Sequence, residues 1–292
     1  MKKIVILGAT GMAGHMIYQY LADSNEYELI DVCFRTKLTD NSSIVDVRDE
    51  RAIEDLLKEI RPDVVINCIG VLIKGCNVSI ENGIFLNAYL PHMLSRITHS
   101  ISPSSRIIHI STDCVFSGKR GHYLDSDFAD ASDPYGVTKK LGELNNDRDL
   151  TLRTSIIGPE LKKNGEGLFH WVFGQLKNKE VKGYRKSIWS GITTLELAKI
   201  IREILYTNLT GIYQLSNNNP ISKCELISMI VDEFQLPINI IQTDGPSLDK
   251  SIINSRYSNY SHDIPGYGKM LKELHEFMSD HKHLYMQYWE KI

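Results

Sequence analysis

The amino-acid sequence predicts an α/β fold in which a doubly wound parallel sheet is joined to a smaller carboxy-terminal α/β lobe. Short apolar runs recur in the first half of the chain, and stretches of helical periodicity follow them. This alternation is typical of buried parallel strands connected by helices. Glycine or hydroxyl-bearing residues follow several of these runs. They are expected at the carboxyl edge of the sheet, where such folds bind ligands.

The first element is a predicted strand at residues 2–7, followed by glycines at positions 8, 11 and 14 and a predicted helix at 15–22. Glycines at this spacing permit a tight turn and a close approach of the backbone to a diphosphate, and the helix N-terminus adds a partial positive charge. A purely structural turn is the alternative. Between a strand and a helix, the triplet favours a dinucleotide site of the Rossmann type.

The second predicted strand, residues 28–34, ends at Arg35, with Lys37 close behind. A site that prefers NAD usually carries an acid here, which binds the ribose 2′-hydroxyl, and Asp31 comes too early for that role. A guanidinium suits a 2′-phosphate, so we expect NADP(H), with NAD(H) as the alternative cofactor. A solvated basic loop is the other interpretation.

The remaining elements of the first half follow the same alternation up to Gly158-Pro159. A strand that ends in a hydroxyl-rich cluster is followed, after a polar loop, by a helix that enters at a proline suited to its first position. The predicted elements are a helix at 49–60, a strand at 63–70, a helix at 86–99, a strand at 106–111, a helix from 134 and a strand at 150–157.

The regular alternation loosens in the second half. A helix starting at Ser222 carries a capping box with Glu225. We expect a dinucleotide-binding domain at 1–158, to which the chain returns at about 186–216, and a substrate lobe at 159–185 and 217–292. The other predicted elements are helices at 166–177, 194–206 and 267–279, and extended segments at 184–189, 211–216 and 238–242.

The composition gives no reason to expect nucleic acid or a membrane as partner. The 292 residues carry a net charge of −3, and no apolar run approaches the ~18 residues of a membrane-spanning helix. Five scattered cysteines lack the spacing of a zinc site and indicate reduced thiols in a cytoplasmic protein. His281 and His283 lie on a polar tail, so we predict no metal site.

The strand ending at residues 111–113 and the helix after it carry the predicted chemistry. Tyr135 and Lys139 are four residues apart, so they share one helix face. A phenol needs its pKa lowered by roughly three units to lose a proton near neutral pH, and a nearby ammonium has about the required strength. We therefore expect Lys139 to lower the pKa of Tyr135, and Thr112 to hydrogen-bond a substrate oxygen. A strand-end hydroxyl that only satisfies backbone groups is the alternative for Thr112.

The chain resembles the extended short-chain dehydrogenases/reductases, and among them most closely the dTDP-4-dehydrorhamnose reductase group. The resemblance covers nearly the whole chain and is more specific for the family than for the substrate. The matching motifs are Gly8-x-x-Gly11-x-x-Gly14, Asp46-Val47, Asn67-Cys-Ile-Gly70, Asn87, residues 111–118, residues 123–127, Pro134-Tyr-Gly-Val-Thr-Lys139, Gly142-Glu143 and Leu152-Arg-Thr-Ser155.

The resemblance implies an NADPH-dependent reductase that reduces the 4-keto group of a nucleotide-linked 4-keto-6-deoxy sugar for cell-surface polysaccharide synthesis. Tyr135 would give the proton, Lys139 would assist it and hold the ribose, and Thr112 would orient the carbonyl. Besides Tyr135 and Lys139, the implied cofactor-binding residues are Gly8, Thr10, Gly11, Met12, Gly14, Arg35, Asp46, Val47, Cys68, Ile69, Gly70, Val71, Asn87 and Ser111. The implied substrate-binding residues are Thr112, Asp113, Cys114, Ile156 and Arg256, the last with a surface salt bridge as its alternative.

Two positions depart from the rhamnose-pathway pattern and leave the sugar open. Cys114 stands where relatives usually carry tyrosine, and Ile156 where they often carry tryptophan. Related 4,6-dehydratases carry glutamate at position 114, so Cys114 favours a reductase. An epimerase, a bifunctional epimerase/reductase and a non-catalytic NADP-binding regulatory subunit remain alternatives. The nucleotide is also open, and a homodimer is conceivable because helices that flank such sheets often dimerise.

Overall fold

The computed structural model describes residues 1–254 and 263–291. The chain forms two compact units. The first contains Met1–Ser117, Ser126–Arg153 and Ala198–Tyr213, and the second contains Gly118–Asp125, Thr154–Leu197 and Gln214–Ile292. The chain therefore changes unit after Arg153, and the boundary expected at residue 158 stays a prediction.

A seven-stranded sheet forms the centre of the first unit, which confirms the predicted fold class. Its strand order is β11-β6-β5-β4-β1-β2-β3, and the neighbouring pairs from β6 to β3 are parallel. The order reverses between β1 and β4, which is the crevice where such sheets bind ligands. The strands are Lys2–Leu7 (β1), Tyr27–Cys33 (β2), Ser43–Ile44 (β3), Val64–Asn67 (β4), Arg106–Ser111 (β5), Leu150–Arg153 (β6) and, after four strands of the second unit, Gly211–Gln214 (β11).

Helices connect these strands. Met12–Ala22 (α1) begins at the glycine turn, and the side chain of Asp49 caps Glu50–Ile60 (α2) by accepting a hydrogen bond from the Ala52 amide at 3.1 Å. The remaining helices up to residue 204 are Ile73–Val78 (α3), Ile80–Gly83 (α4), Leu90–Ile101 (α5), Pro134–Leu141 (α6), Leu168–Gly174 (α7) and Thr194–Ile204 (α8).

An apolar cluster of the first unit lies between the sheet and helices α2 and α5. Completely buried residues of β1 and β4, such as Val5, Leu7 and Val65, contact Ile53 of α2 and Leu94 of α5. Because both faces of the strands are covered, the strands are apolar along their whole length rather than at alternate positions. This packing fixes the strand ends that carry the site.

The second unit contains smaller sheets. Its strands are Ile156–Ile157 (β7), Glu180–Tyr184 (β8), Ser187–Trp189 (β9), Ile192–Thr193 (β10), Ile221–Ser222 (β12), Asn239–Thr243 (β13) and Leu248–Asp249 (β14), and its remaining helices are Lys223–Glu233 (α9), Tyr267–Asp280 (α10) and Met286–Trp289 (α11). The pairs are β7 with β10, β8 with β13, and β9 with both β12 and β14. The predicted capping box of Ser222 and Glu225 is present.

Three predicted elements need correction. The strand expected at 150–157 is two strands, because Thr154 leaves the ladder and its hydroxyl donates to the carbonyl of Leu215 at 3.0 Å. The segment 184–189 belongs to two strands with different partners. The helix expected at 86–99 starts earlier, as a π-helical stretch at Ile84–Tyr89. In the part of the chain that the structure describes, no helix has the length and apolar character needed to cross a bilayer.

Candidate active site

The glycine turn follows β1 directly and is closely packed. Gly8 has a φ of +76°, a left-handed conformation that glycine adopts without strain. A Cβ added to Gly14 would lie 2.3 Å from the carbonyl oxygen of Gly8, and the Gly11 amide donates to the same oxygen at 2.9 Å. Only glycine fits at position 14, and the turn brings the start of α1 to the end of β1. Thr10 and Met12 are partly exposed there.

Asp31 and Arg35, the two residues considered for the choice between NAD and NADP, have different surroundings near the end of β2. Asp31 lies within the strand, 3% exposed, and its carboxylate accepts hydrogen bonds from the hydroxyls of Ser42 and of Thr39, the latter at 3.1 Å. Arg35 lies beyond the strand end and is exposed, with its guanidinium 4.8 Å from the centre of the Phe34 ring. The buried acid is thus committed to its neighbours, and the exposed cation is at the position expected for a 2′-phosphate contact.

Asn87 holds the loop after β4 in place. Its Oδ1 accepts a hydrogen bond from the Val71 amide at 2.7 Å, and its Nδ2 donates to the Val71 carbonyl at 2.9 Å and to the hydroxyl of Thr138 at 3.2 Å. Gly70 adjoins this clamp: a Cβ there would lie 3.3 Å from Asn87 Oδ1 and 3.9 Å from Lys139 Nζ. One buried amide therefore fixes the loop 68–71 against helix α6.

The hydroxyl cluster after β5 is buried and internally bonded. Thr112 Oγ1 donates to Asp113 Oδ1 at 3.1 Å and accepts from the Cys114 amide at 3.1 Å. The alternative for Thr112, a hydroxyl that satisfies a backbone group, thus describes its contact with the Cys114 amide. Ser111 donates to Glu143 Oε1 at 2.9 Å, and Cys114 is partly exposed.

Tyr135 sits in the first turn of α6, whose start is capped by Asp133, the acceptor of the Gly136 amide at 3.0 Å. Burial raises the pKa of Tyr135 above its usual value, and the thiol of Cys114 is the next cause. The side chain of Thr112, which lies next to the phenol, acts on this pKa in the lowering direction. Tyr135 and Thr112 are therefore together, as expected.

The expected lowering of the Tyr135 pKa by Lys139 is wrong for this structure. Lys139 is 4% exposed, and burial lowers its own pKa to about 8, although Glu143 acts in the opposite direction. A lysine that is costly to charge provides less positive potential than an exposed ammonium does, and burial of the phenol outweighs it. Tyr135 therefore keeps its proton at neutral pH.

A buried ion pair lies one turn beyond Lys139. Arg153 donates to Glu143 through Nε and Nη2, each at 2.7 Å, and both side chains are 5% exposed. This bidentate geometry fixes the Glu143 carboxylate, which also accepts from Ser111. The negative charge that faces Lys139 is thus held in one place.

Not all predicted site residues meet at this strand edge. Asp46 accepts from the Arg48 amide at 3.0 Å in the turn before α2, while the side chain of Val47 belongs to the apolar core. Ile156 lies on β7 in the second unit. The predicted contact by Arg256 lies outside the described residues.

Sequence reasoning gave Asn67 and His109 no role of their own, although both are fully buried beside the site. Asn67 Nδ2 is 3.1 Å from His109 Nδ1, and His109 Nε2 is 3.4 Å from Lys139 Nζ. The available signal was a histidine among the isoleucines of a buried strand, because a polar side chain in such a place needs a hydrogen-bond partner.

The residues present fit a bound dinucleotide. Glycine at positions 8 and 14 allows a tight turn, since a Cβ at either position would lie within 2.9 Å of a neighbouring protein atom, and the loop at Gly70 leaves space next to Lys139 that a Cβ would narrow. Both features leave backbone accessible at the strand ends, as a diphosphate and a ribose require. Arg35 adds a cation of the right kind for a 2′-phosphate.

Comparison with known protein families identifies the family of this chain. Residues 1–251 match the model of the family described as RmlD substrate binding domain. The chain belongs to this family. The match confirms the predicted resemblance to the dTDP-4-dehydrorhamnose reductase group.

Individual relatives carry three different descriptions. A Bacillus subtilis protein called spore coat polysaccharide biosynthesis protein SpsK is 25% identical, over 90% of either chain. Methionine adenosyltransferase 2 subunit beta of Xenopus laevis is 24% identical, over 84% of this chain and 76% of that protein. The crystal structure of dTDP-4-dehydrorhamnose reductase from Bacillus anthracis in complex with NADP is 22% identical and superimposes with a TM-score of 0.81, covering 95% of this chain and 99% of the other. The last similarity shows the fold.

Proposed function

We propose that the protein is an NADPH-dependent reductase that converts the 4-keto group of a nucleotide-linked 4-keto-6-deoxy sugar to a hydroxyl. The observation that carries this proposal is the position of the Tyr135 phenol beside the side chain of Thr112 at the carboxyl end of β5. The family supports the substrate class, and the NADP bound to the Bacillus anthracis enzyme supports the cofactor.

Tyr135 is the proton donor in this reaction. Its raised pKa keeps the phenol protonated at neutral pH, which is the state that an acid needs before it gives a proton to a developing alkoxide. Thr112 orients the carbonyl oxygen by donating to it the single hydroxyl hydrogen that Asp113 accepts in this structure. Bound NADPH supplies the hydride.

Lys139 and the residues around it support the acid. Its Nζ donates to the carbonyl of Ile110 at 2.7 Å, which anchors helix α6 to the end of β5. With a pKa of about 8, Lys139 is close to the point at which it gains or loses its proton. Negative charge formed on Tyr135 favours the charged lysine, and the ammonium then stabilises the phenolate.

The biological setting follows from the relatives. SpsK is named for polysaccharide biosynthesis, and we place this protein in the synthesis of a cell-surface polysaccharide on that basis. Asp113 and Cys114 are the proposed sugar contacts. Cys114 is partly exposed and smaller than the tyrosine implied by the resemblance, so the sugar pocket differs from that of rhamnose-pathway relatives.

The test is NADPH oxidation, followed at its absorbance, with a panel of dTDP-, UDP- and GDP-linked 4-keto-6-deoxy sugars. Tyr135→Phe should bind NADPH as the wild type does but turn over more slowly, by a factor of roughly 10² or more, because a positioned acid is lost. Tyr206→Phe changes an exposed tyrosine and serves as the matched control, with unchanged turnover. Equal rates in Tyr135→Phe and the wild type would remove the assignment of the acid.

A regulatory subunit is the second candidate, because several relatives are named methionine adenosyltransferase 2 subunit beta. Such a protein would bind NADP without reducing a sugar. Its distinguishing result is tight NADPH binding with no oxidation by any member of the panel. The phenol of Tyr135 next to Thr112 favours the reductase, since a binding protein has no need of a proton donor.

A further inference from the structure

A line of buried polar groups runs from β4 to helix α6, the helix that carries the proposed acid. Asn67 and His109 are register partners on β4 and β5, and both are fully buried. Their side chains are 3.1 Å apart, and His109 Nε2 is 3.4 Å from Lys139 Nζ. Lys139 in turn donates to the Ile110 carbonyl at 2.7 Å. Because these side chains are buried, each must find its hydrogen-bond partners among neighbouring groups of the protein.

The positions of the protons follow from one fixed donor. The Ile69 amide lies 3.1 Å from Asn67 Oδ1, and a backbone N–H can only donate. The oxygen of Asn67 must then face Ile69, so its NH₂ group faces His109 Nδ1, which accepts. Burial, followed by the nearby Lys139, keeps the pKa of His109 well below its usual value, so the ring is neutral. A neutral ring that accepts at Nδ1 carries its proton on Nε2.

The Nε2–H of His109 then points at the Lys139 nitrogen. A charged ammonium has three donors and no lone pair, so it cannot accept this hydrogen. An uncharged amine can, and it still donates to the Ile110 carbonyl. We propose that His109, held by Asn67, is a positioning residue that fixes the Lys139 nitrogen between β5 and α6 and favours its uncharged form.

Several groups around Lys139 influence whether its nitrogen is charged. Glu143, two residues beyond the end of α6, favours the ammonium, and Cys68 after β4 and Cys76 on α3 act in the same direction. Burial of the thiol raises the pKa of Cys68 to about 12, so this thiol is neutral near pH 8. The charge that favours the ammonium form of Lys139 is therefore that of Glu143. His109 acts in the opposite direction, because it presents a hydrogen-bond donor to the Lys139 nitrogen, whereas the ammonium would need an acceptor.

The consequence rests on the proposed function, in which Lys139 assists Tyr135. An amine held near its titration point takes up a proton when negative charge forms beside it, whereas a permanent ammonium does not respond. The line from Asn67 to Lys139 thus makes the charge of Lys139 depend on the state of the phenol four residues earlier on the same helix face.

The direct test is nitrogen NMR of protein with ¹⁵N-labelled histidine, without cofactor or substrate. The ring shifts distinguish the two neutral tautomers and the charged ring, and His109→Gln identifies the signals of His109. We expect a neutral ring protonated on Nε2 from about pH 6 to 9. A ring protonated on Nδ1, or a charged ring, overturns the proposal.

The Asn67→Asp substitution replaces the amide that donates to His109 Nδ1 with a carboxylate, which can only accept. The carboxylate keeps the acceptor for Ile69 but accepts from His109 Nδ1, so Nε2 becomes an acceptor for the ammonium. We expect the tautomer to reverse and the Lys139 pKa, followed by ¹³Cε NMR of labelled lysine, to rise by about one unit or more. His99→Gln, the same histidine substitution as above but at an exposed position, should change neither reading. A reversed tautomer with an unchanged Lys139 pKa contradicts the proposal.

These readings are independent of the proposed reaction. If no sugar of the panel oxidises NADPH, the reductase assignment fails and the tautomer of His109 still decides the role of the line. If turnover is present and His109 is protonated on Nδ1, the reductase stands and the positioning role of His109 is refuted.

Discussion

The buried Lys139 should lower the free energy of unfolding at neutral pH, and its replacement with methionine should raise it. The lysine pKa falls from 10.5 in the unfolded chain to about 8 in the folded protein, mainly through burial. Each unit of difference corresponds to about 1.4 kcal/mol, so charging Lys139 in the folded state costs about 3 kcal/mol at pH 7. Lys139→Met removes this cost but leaves the Ile110 carbonyl without its donor, a loss of about 1 kcal/mol. The variant should be more stable by about 2 kcal/mol.

The lowered pKa of Lys139 also determines how the free energy of unfolding changes with pH. Because the folded pKa is lowered, the folded state binds fewer protons than the unfolded state between pH 8 and 10.5, and stability rises with pH in that window. The cost is fully present below pH 8. At pH 9.5 it has fallen to about 1 kcal/mol, so the wild type and Lys139→Met should be nearly equally stable there.

The assay is urea unfolding of the cofactor-free protein at pH 7 and 9.5, followed by circular dichroism. Lys140→Met, at the neighbouring and partly exposed position, controls for the loss of a lysine from the same helix. A Lys139→Met protein that is less stable than the wild type at pH 7, or whose stability difference does not change with pH, refutes the reasoning.

Two further substitutions test the supports of the site. Glu143→Gln should destabilise the protein by about 3–5 kcal/mol in thermal unfolding, because Arg153, 5% exposed, keeps its charge without its partner; a loss below about 1 kcal/mol contradicts the buried pair. Asn87→Ala removes the bonds to both backbone groups of Val71 and to Thr138, so the NADPH dissociation constant measured by calorimetry should rise at least about tenfold. Unchanged affinity, together with unchanged hydrogen exchange of the Val71 amide, would show that the loop does not depend on Asn87.

Much of the first unit was predictable because local signals and tertiary structure agree there. The strand at residues 2–7, the glycine turn and the helix entered at Pro134 all lie where the pattern places them. Each depends on interactions within a few residues, namely apolar continuity, a glycine conformation and a proline at the first helical position. Such elements need no knowledge of distant partners.

The parts that were not predictable depend on contacts between distant segments. The break after Arg153 follows from a hydrogen bond between Thr154 and Leu215, which no local pattern reveals. The protonation states of Tyr135 and Lys139 depend on burial, and an argument from charge spacing alone gave the wrong direction for the phenol. The sign changed because desolvation by burial is the largest influence on the pKa of the phenol in the folded protein.

The central claim is that hydride passes to the sugar carbon while Tyr135 supplies the proton. Incubation with NADPH deuterated at the transferred position of C4, followed by NMR of the sugar product, tests it directly. The account predicts one deuterium at C4 of the reduced sugar and a matching amount of NADP⁺. Product formed without deuterium at C4 and without net oxidation of the cofactor, as an epimerase would give, or no product at all, would contradict it.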